Sequence, residues 1–194
     1  KVTLGDTDDA LDWALTETAI GGAMADDHTA HDGYNGNGYG AKDGQVLRYE
    51  YSFSNVSVAI SSEQGDDGVG VVDDTTSVGV KTDLDLAGTT VSLGAGFIDA
   101  GADDGFGISA KAGFGAVTAV LNVSEFADVD HIGLGLGYTM DALTVGFNWG
   151  EYDDAGTTTD GYGLAVNYDL GGGAVVQFGY GDDDTNDTFS LGLA

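Results

Sequence analysis

Residues 143 to 152, LTVGFNWGEY, alternate without a break, so that Leu143, Val145, Phe147 and Trp149 point one way along an extended chain and Thr144, Gly146, Asn148 and Gly150 the other. This period of two returns along most of the sequence, and nothing else limits the fold as strongly. It predicts strands at about 45–53, 56–64, 75–86, 90–99, 105–114, 116–126, 131–140, 142–152, 161–170, 173–181 and 188–194; the opening KVTLG makes about twelve. One face is bulky and apolar: Leu47, Tyr49, Tyr51 and Phe53 in one strand, Ile132, Leu134, Leu136 and Tyr138 in another. The opposite face carries Ser92, Gly94, Gly96, Gly133, Gly135, Gly137 and Asn167. A solvated strand face ordinarily bears Lys, Glu and Thr, and glycine there needs its own reason. Small residues cannot fill the middle of a barrel of twelve or more strands, so they would leave a channel. The expected fold is all-β, an antiparallel barrel with its apolar face outward to lipid. For the aromatics of any single strand, core packing is the favoured reading; repetition over some ten strands favours lipid. Tyr49, Trp149, Tyr162, Tyr168 and Tyr180 lie near strand ends, as interfacial girdles require.

The connections reinforce this. Tight turns near Ser54-Asn55, Ala87-Gly88, Gly115, Asp141 and Gly171-Gly172 alternate with longer acidic stretches such as GDDGVGVVDD, AGADD, ADVD, DDAGTTTD and GDDDTND. In an up-and-down meander this puts short turns at one end and long loops at the other, the pattern of outer-membrane barrels. Residues 7–43 lose all alternation and form one long acidic, Gly-rich connection, a length that is uncommon without a function or disorder. No stretch approaches the run of about 18 apolar residues of a membrane-spanning helix, but a spanning strand needs only about 9–11 residues. The chain opens inside a strand, with no leader, and so reads as a processed or truncated piece.

The sequence has no cysteine, so neither a disulfide nor a thiolate metal site is expected. With 33 Asp and Glu against 5 Lys and Arg, the formal net charge is -28. Such a chain repels nucleic acid, whose binding depends on basic groups that neutralise phosphates, and attracts cations. The rival reading of this acidity is a soluble, salt-adapted β-domain acting as a surface adhesin or structural protein. An enzyme is not expected: no G-x-S-x-G, H-E-x-x-H or phosphate-binding G-x-x-x-x-G-K-[ST] motif occurs. His28 and His31 lie three apart in the long connection, weak spacing for a metal, and His131 beside Asp130 needs no special role.

The few cations are more informative. On the phase of the apolar residues, Lys1, Arg48, Lys81 and Lys111 all fall on the small-residue face, and Lys42 falls in the long connection. None of the strand cations meets the lipid side, where Arg or Lys at mid-depth costs about 2–4 kcal/mol. A polar face toward any solvent explains that phase equally well. It does not explain why these faces are otherwise nearly uncharged.

The segments KVTLGDTDDALDW, VLRYEYSF, GLGLGYTMDALTVGFNWGEY, YGLAVNYDLGGGAVVQFGYG and DTFSLGLA together resemble the general porins of Gram-negative bacteria, most closely those of alphaproteobacteria. The resemblance runs over nearly the whole chain, through patterns more than signatures. It implies a sixteen-stranded antiparallel barrel in the outer membrane, usually a homotrimer, passing small hydrophilic solutes and ions by passive diffusion. It also implies that residues 7–43 are the loop that folds inward to narrow the pore, with KVTLGD as the fifth strand. Four N-terminal strands and a terminal aromatic residue are then expected beyond the present chain.

In such a barrel, basic wall residues stand across from acidic groups of the inward loop and set ion selectivity. The resemblance therefore implies a basic wall of Arg48, Lys81 and Lys111, opposed by a subset of Asp6, Asp8, Asp9, Asp12, Glu17, Asp26, Asp27 and Asp32. Glu50, two residues after Arg48 on the same face, is expected to line the lumen. Acids outnumber bases there, so cation preference is expected. No cofactor is required; calcium is the ion that carboxylates such as Asp6, Asp8 and Asp9 would suit, although no EF-hand spacing occurs. Solvated carboxylates are the plainer reading of that cluster.

Overall fold

The computed structural model describes residues 1–22, 45–64, 74–183 and 186–194. Twelve strands form one sheet: β1 (Val2–Gly5), β2 (Val46–Phe53), β3 (Val56–Glu63), β4 (Thr75–Leu86), β5 (Thr89–Asp99), β6 (Asp104–Phe114), β7 (Val117–Phe126), β8 (Val129–Met140), β9 (Leu143–Asp154), β10 (Thr157–Gly171), β11 (Ala174–Asp183) and β12 (Asp187–Leu193). Their order in the sheet is their order in the chain, and each pairs antiparallel with the next. This is the meander that the alternation predicts, with most boundaries moved by one or two residues. One element was not expected: α1 (Ala10–Ala14), a short helix inside the long acidic connection.

The registry keeps each face uniform across strands. Leu134 pairs with Trp149 and with Leu121, while Gly135 pairs with Asn148 and Val120. Exposure separates the faces in the sense that the alternation implies. Leu134 is 44% exposed, Phe147 42% and Leu164 36%, whereas Gly135 is buried and Asn148 is 6% exposed. A soluble sandwich would show the reverse, because its bulky face would be the dry one.

The connections differ from expectation at the acidic end. ADVD and DDAGTTTD read as loops, yet β7 and β8 are joined through Ala127 and Asp128 alone, and β9 and β10 through Ala155 and Gly156. The strands absorb the remaining acidic residues, and β10 runs for 15 residues. The hairpins close with positive φ at Ala127 (53°), Asp128 (65°) and Ala155 (50°). Two successive left-handed residues match the right-handed twist of the flanking strands. In DDAGTTTD the three threonines suit a strand, and Thr157, Thr158 and Thr159 pair with Asp154, Asp153 and Tyr152.

Candidate functional site

The small-residue face is not open along its whole width. From Asp9 to Gly22 the chain lies against it, and every step of the contact can be followed. The Ala10 N–H donates to Ser61 Oγ on β3 at 2.9 Å and to Ser77 Oγ on β4 at 2.8 Å. The Thr16 N–H donates to Ser109 Oγ on β6 at 2.9 Å, and Asn122 Nδ2 on β7 donates to the Thr16 carbonyl at 3.0 Å. Farther on, Asn167 of β10 uses both ends of its amide: Oδ1 accepts from the Gly22 N–H at 3.0 Å and Nδ2 donates to the Gly22 carbonyl at 2.9 Å. From β3 to β10 the segment crosses seven inter-strand spacings, about 34 Å at about 4.8 Å each. The segment follows that path with bends at Leu15, Thr18 and Gly21.

This docking explains the glycines. A Cβ at Gly79 would overlap the Ala10 carbonyl, one at Gly94 the Ala14 carbonyl, one at Gly135 the Thr18 carbonyl and one at Gly146 the Ile20 carbonyl. Glycine is required where another backbone approaches a strand this closely. The expectation that small residues simply leave open water is therefore corrected over this band: they form a bed for the segment. Leu11 completes the seat by packing with Ile98, Ala100 and Phe126, with Leu15 against the same cluster.

The basic residues meet this segment directly. Arg48 on β2 is 4% exposed; its Nε donates to Glu50 Oε1 at 3.1 Å, and its Nη1 donates to the Asp8 carbonyl and lies 3.8 Å from Asp8 Oδ2. Glu50 also accepts from Lys1 Nζ at 3.2 Å. Lys81 on β4 donates Nζ to the Trp13 carbonyl at 2.8 Å and lies 3.8 Å from the centre of the Trp13 ring. Lys111 on β6 is exposed and lines a cavity of about 340 Å³ with Lys81, Ser92, Asp83 and Thr16. Arg48 and Lys81 thus hold the segment to the wall, in addition to lying on the expected face. Trp13, Ser61, Ser77, Ser109, Asn122 and Asn167 were not foreseen as site residues. The one available signal was a buried-type polar residue placed among glycines on an otherwise uncharged face.

The acids separate into different roles. Asp9 is 5% exposed and caps α1, with Oδ1 accepting from the Leu11 N–H at 2.6 Å, the Asp12 N–H at 3.0 Å and the Ser77 hydroxyl at 3.1 Å. Asp9 therefore faces the wall instead of standing opposite it, because a helix N-terminus needs an acceptor for its free N–H groups. Burial pushes the Asp9 carboxyl above its usual range, against the hydrogen bonds that lower it. Asp12 is half-buried, and its pKa is pushed up to about 7, first by desolvation and then by the negative charges of Asp8, Asp9 and Glu17, with Arg48 acting the other way. Asp6, Asp8 and Glu17 are exposed. Among the described residues no three carboxylates or histidines converge as a metal site, and Asp9 is already committed to its cap. Asp26, Asp27 and Asp32, with His28, His31 and Lys42, lie outside the described residues. His131 is buried on the inner face, with its ring centre 4.5 Å from that of Tyr152.

An antiparallel meander that turns its bulky residues outward and pins a chain segment along its small-residue inner face is the wall of a membrane β-barrel. The chain belongs to the Gram-negative porin family, whose model matches residues 1–188. It is 33% identical over 174 residues to a porin of Rhodobacter capsulatus, an alignment covering 74% of this chain and 58% of that protein. The chain thus spans a little over half the length of that curated relative. Among solved structures, a porin refined at 1.8 Å resolution superposes with a TM-score of 0.78 at 24% identity, covering 99% of this chain and 76% of the other. A double-substitution variant of Rh. blastica porin superposes with a TM-score of 0.69 at 25% identity, covering 99% of this chain and 71% of the other. Membership of this family places the protein in the outer membrane.

Proposed function

We propose that the chain forms the wall and constriction of an outer-membrane diffusion porin, passing small hydrophilic solutes and ions down their gradients through a water-filled barrel. The observation that carries this reading is the docking of residues 9–22 along the inner face while the apolar face stands exposed. A segment held across the inside of a barrel narrows it without filling it. On this reading residues 7–43 are the constriction loop, the working unit is a homotrimer of sixteen-stranded barrels, and no cofactor or catalytic group takes part.

Cation preference follows from the charge balance: the formal net charge is -28, and Asp6, Asp8 and Glu17 are exposed beside the docked segment. Two of the three basic wall groups are meanwhile engaged, Arg48 by Asp8 and Glu50 and Lys81 by Trp13. Charges that line a narrow aqueous path select ions by sign. Calcium enters only as a loosely held counter-ion of such carboxylates. The rival adhesin reading needs a water-compatible exterior, which exposed Leu136, Phe147 and Leu191 do not supply. The test is reconstitution of the full-length protein in planar bilayers under a salt gradient. Stepwise conductance with a cation-selective reversal potential is expected; a water-soluble protein without conductance, or an anion-selective one, defeats the proposal.

A further inference from the structure

Trp13 sits where the docked segment meets the basic side of the wall, and the charge reading assigns it nothing. Two cations address its ring: Lys81 Nζ at 3.8 Å from the ring centre and the Arg48 guanidinium carbon at 6.0 Å. Lys81 also donates to the Trp13 main-chain carbonyl. Both interactions set negative charge density against the ammonium, from the face of the indole and from the carbonyl dipole. Lys111 differs, being exposed with no hydrogen bond or ion pair among the described residues. The two lysines line one polar cavity next to α1, shared with Ser57, Asp83 and Ser92. One of its ammonium groups is thus occupied and the other is open to solution.

We propose that Trp13 is a specificity-determining residue of this pore, withdrawing the Lys81 ammonium from passing anions and leaving Lys111 as the basic group that the cavity presents. This rests on the diffusion-channel reading above. Lysine is a point charge on a flexible four-carbon stem. Without the ring, only the main-chain carbonyl at position 13 holds Lys81, and the flexible stem lets a second ammonium turn toward the solute path. The indole therefore raises cation preference without carrying any charge of its own.

The experiment measures reversal potentials in a potassium chloride gradient for the full-length protein and for Trp13→Ala, Trp13→Phe and Trp13→Ala combined with Lys81→Met. Trp13→Ala is expected to lower the cation-to-anion permeability ratio roughly two- to fivefold, the scale of one unit charge acting at a few ångströms through water. Trp13→Phe keeps an aromatic face and stays near the native ratio, and removal of the Lys81 charge restores the ratio of the Ala variant. A rise in single-channel conductance at an unchanged ratio would show that Trp13 acts only through shape, and overturns the assignment. An equal fall in the ratio with and without Lys81 overturns it as well. If the unaltered protein forms no channel, the diffusion reading itself fails, whatever the variants do.

Discussion

At the scale of single residues, the most informative positions are those with the smallest side chains. Gly146 and Gly113 both lie on the inner face, but a Cβ at Gly146 would overlap the Ile20 carbonyl, whereas one at Gly113 meets open space. Valine suits a strand at either site as far as intrinsic preference goes. Gly146→Val is therefore expected to leave the barrel folded, displace the segment and raise single-channel conductance, while Gly113→Val leaves conductance near native. A folded Gly146→Val protein with native conductance would mean that the segment does not limit flow. Asp12 supplies a second prediction at this scale. With its pKa near 7, it loses its charge as pH falls through neutrality, so cation preference is expected to weaken between about pH 8 and pH 6. Asp12→Asn should flatten that pH profile of reversal potential. The linkage sign follows from the raised value: between the ordinary 3.8 and about 7 the folded state binds more protons than the unfolded one, so stability falls as pH rises across that window.

At the scale of elements, strands were legible in the sequence and the helix was not, for one physical reason. A period of two sustained over ten residues, as in GLGLGYTMDA running into LTVGFNWGEY, is a long signal. The five residues of α1 hold little more than one turn, too short for a period of 3.6 to show, and such a helix is not stable by itself. It is held by Asp9, Ser61, Ser77 and the contact of Leu11 with Ile98, which belong to three other strands and to a position just before the turn. Asp9→Ala should therefore cost about 1 kcal/mol, as the loss of an N-cap does. Hydrogen exchange is expected to quicken at the Asp12 amide, which loses its side-chain acceptor, and less at the Leu11 amide, which keeps Ser77 Oγ at 3.3 Å; Asp9→Asn should keep most of their protection. Unchanged exchange in Asp9→Ala would show that wall contacts alone hold the turn. Two hairpins at the acidic end, Ala127-Asp128 and Ala155-Gly156, were hidden because the aspartates beside them read as loop although the strands run on through them.

At the scale of the whole molecule, two solvents and one internal segment account for the sequence. The phase of Arg48, Lys81 and Lys111 correctly marked the inner face, because a charge cannot be carried cheaply on the lipid side. It did not reveal that Arg48 and Lys81 grip the segment, since pairing across 40 residues (Asp8 to Arg48) and 68 residues (Trp13 to Lys81) depends on how strands far apart in sequence come together. The same asymmetry of solvents can be measured directly with one substitution on each face. Leu136 lies mid-strand on β8, 54% exposed, opposite Phe147 and Ala119 on the outer face. Thr118 on the neighbouring β7 pairs with Gly113 and Gly137 on the inner face. An arginine at position 136 must hold its guanidinium among acyl chains, at a cost of about 2–4 kcal/mol near the bilayer midplane. At position 118 it reaches water and the surplus of carboxylates, and should cost little. Urea unfolding of the two full-length variants from lipid vesicles is therefore expected to show a much lower midpoint for Leu136→Arg than for Thr118→Arg. Equal midpoints would mean that both faces meet the same solvent, and the barrel could then no longer be a membrane wall.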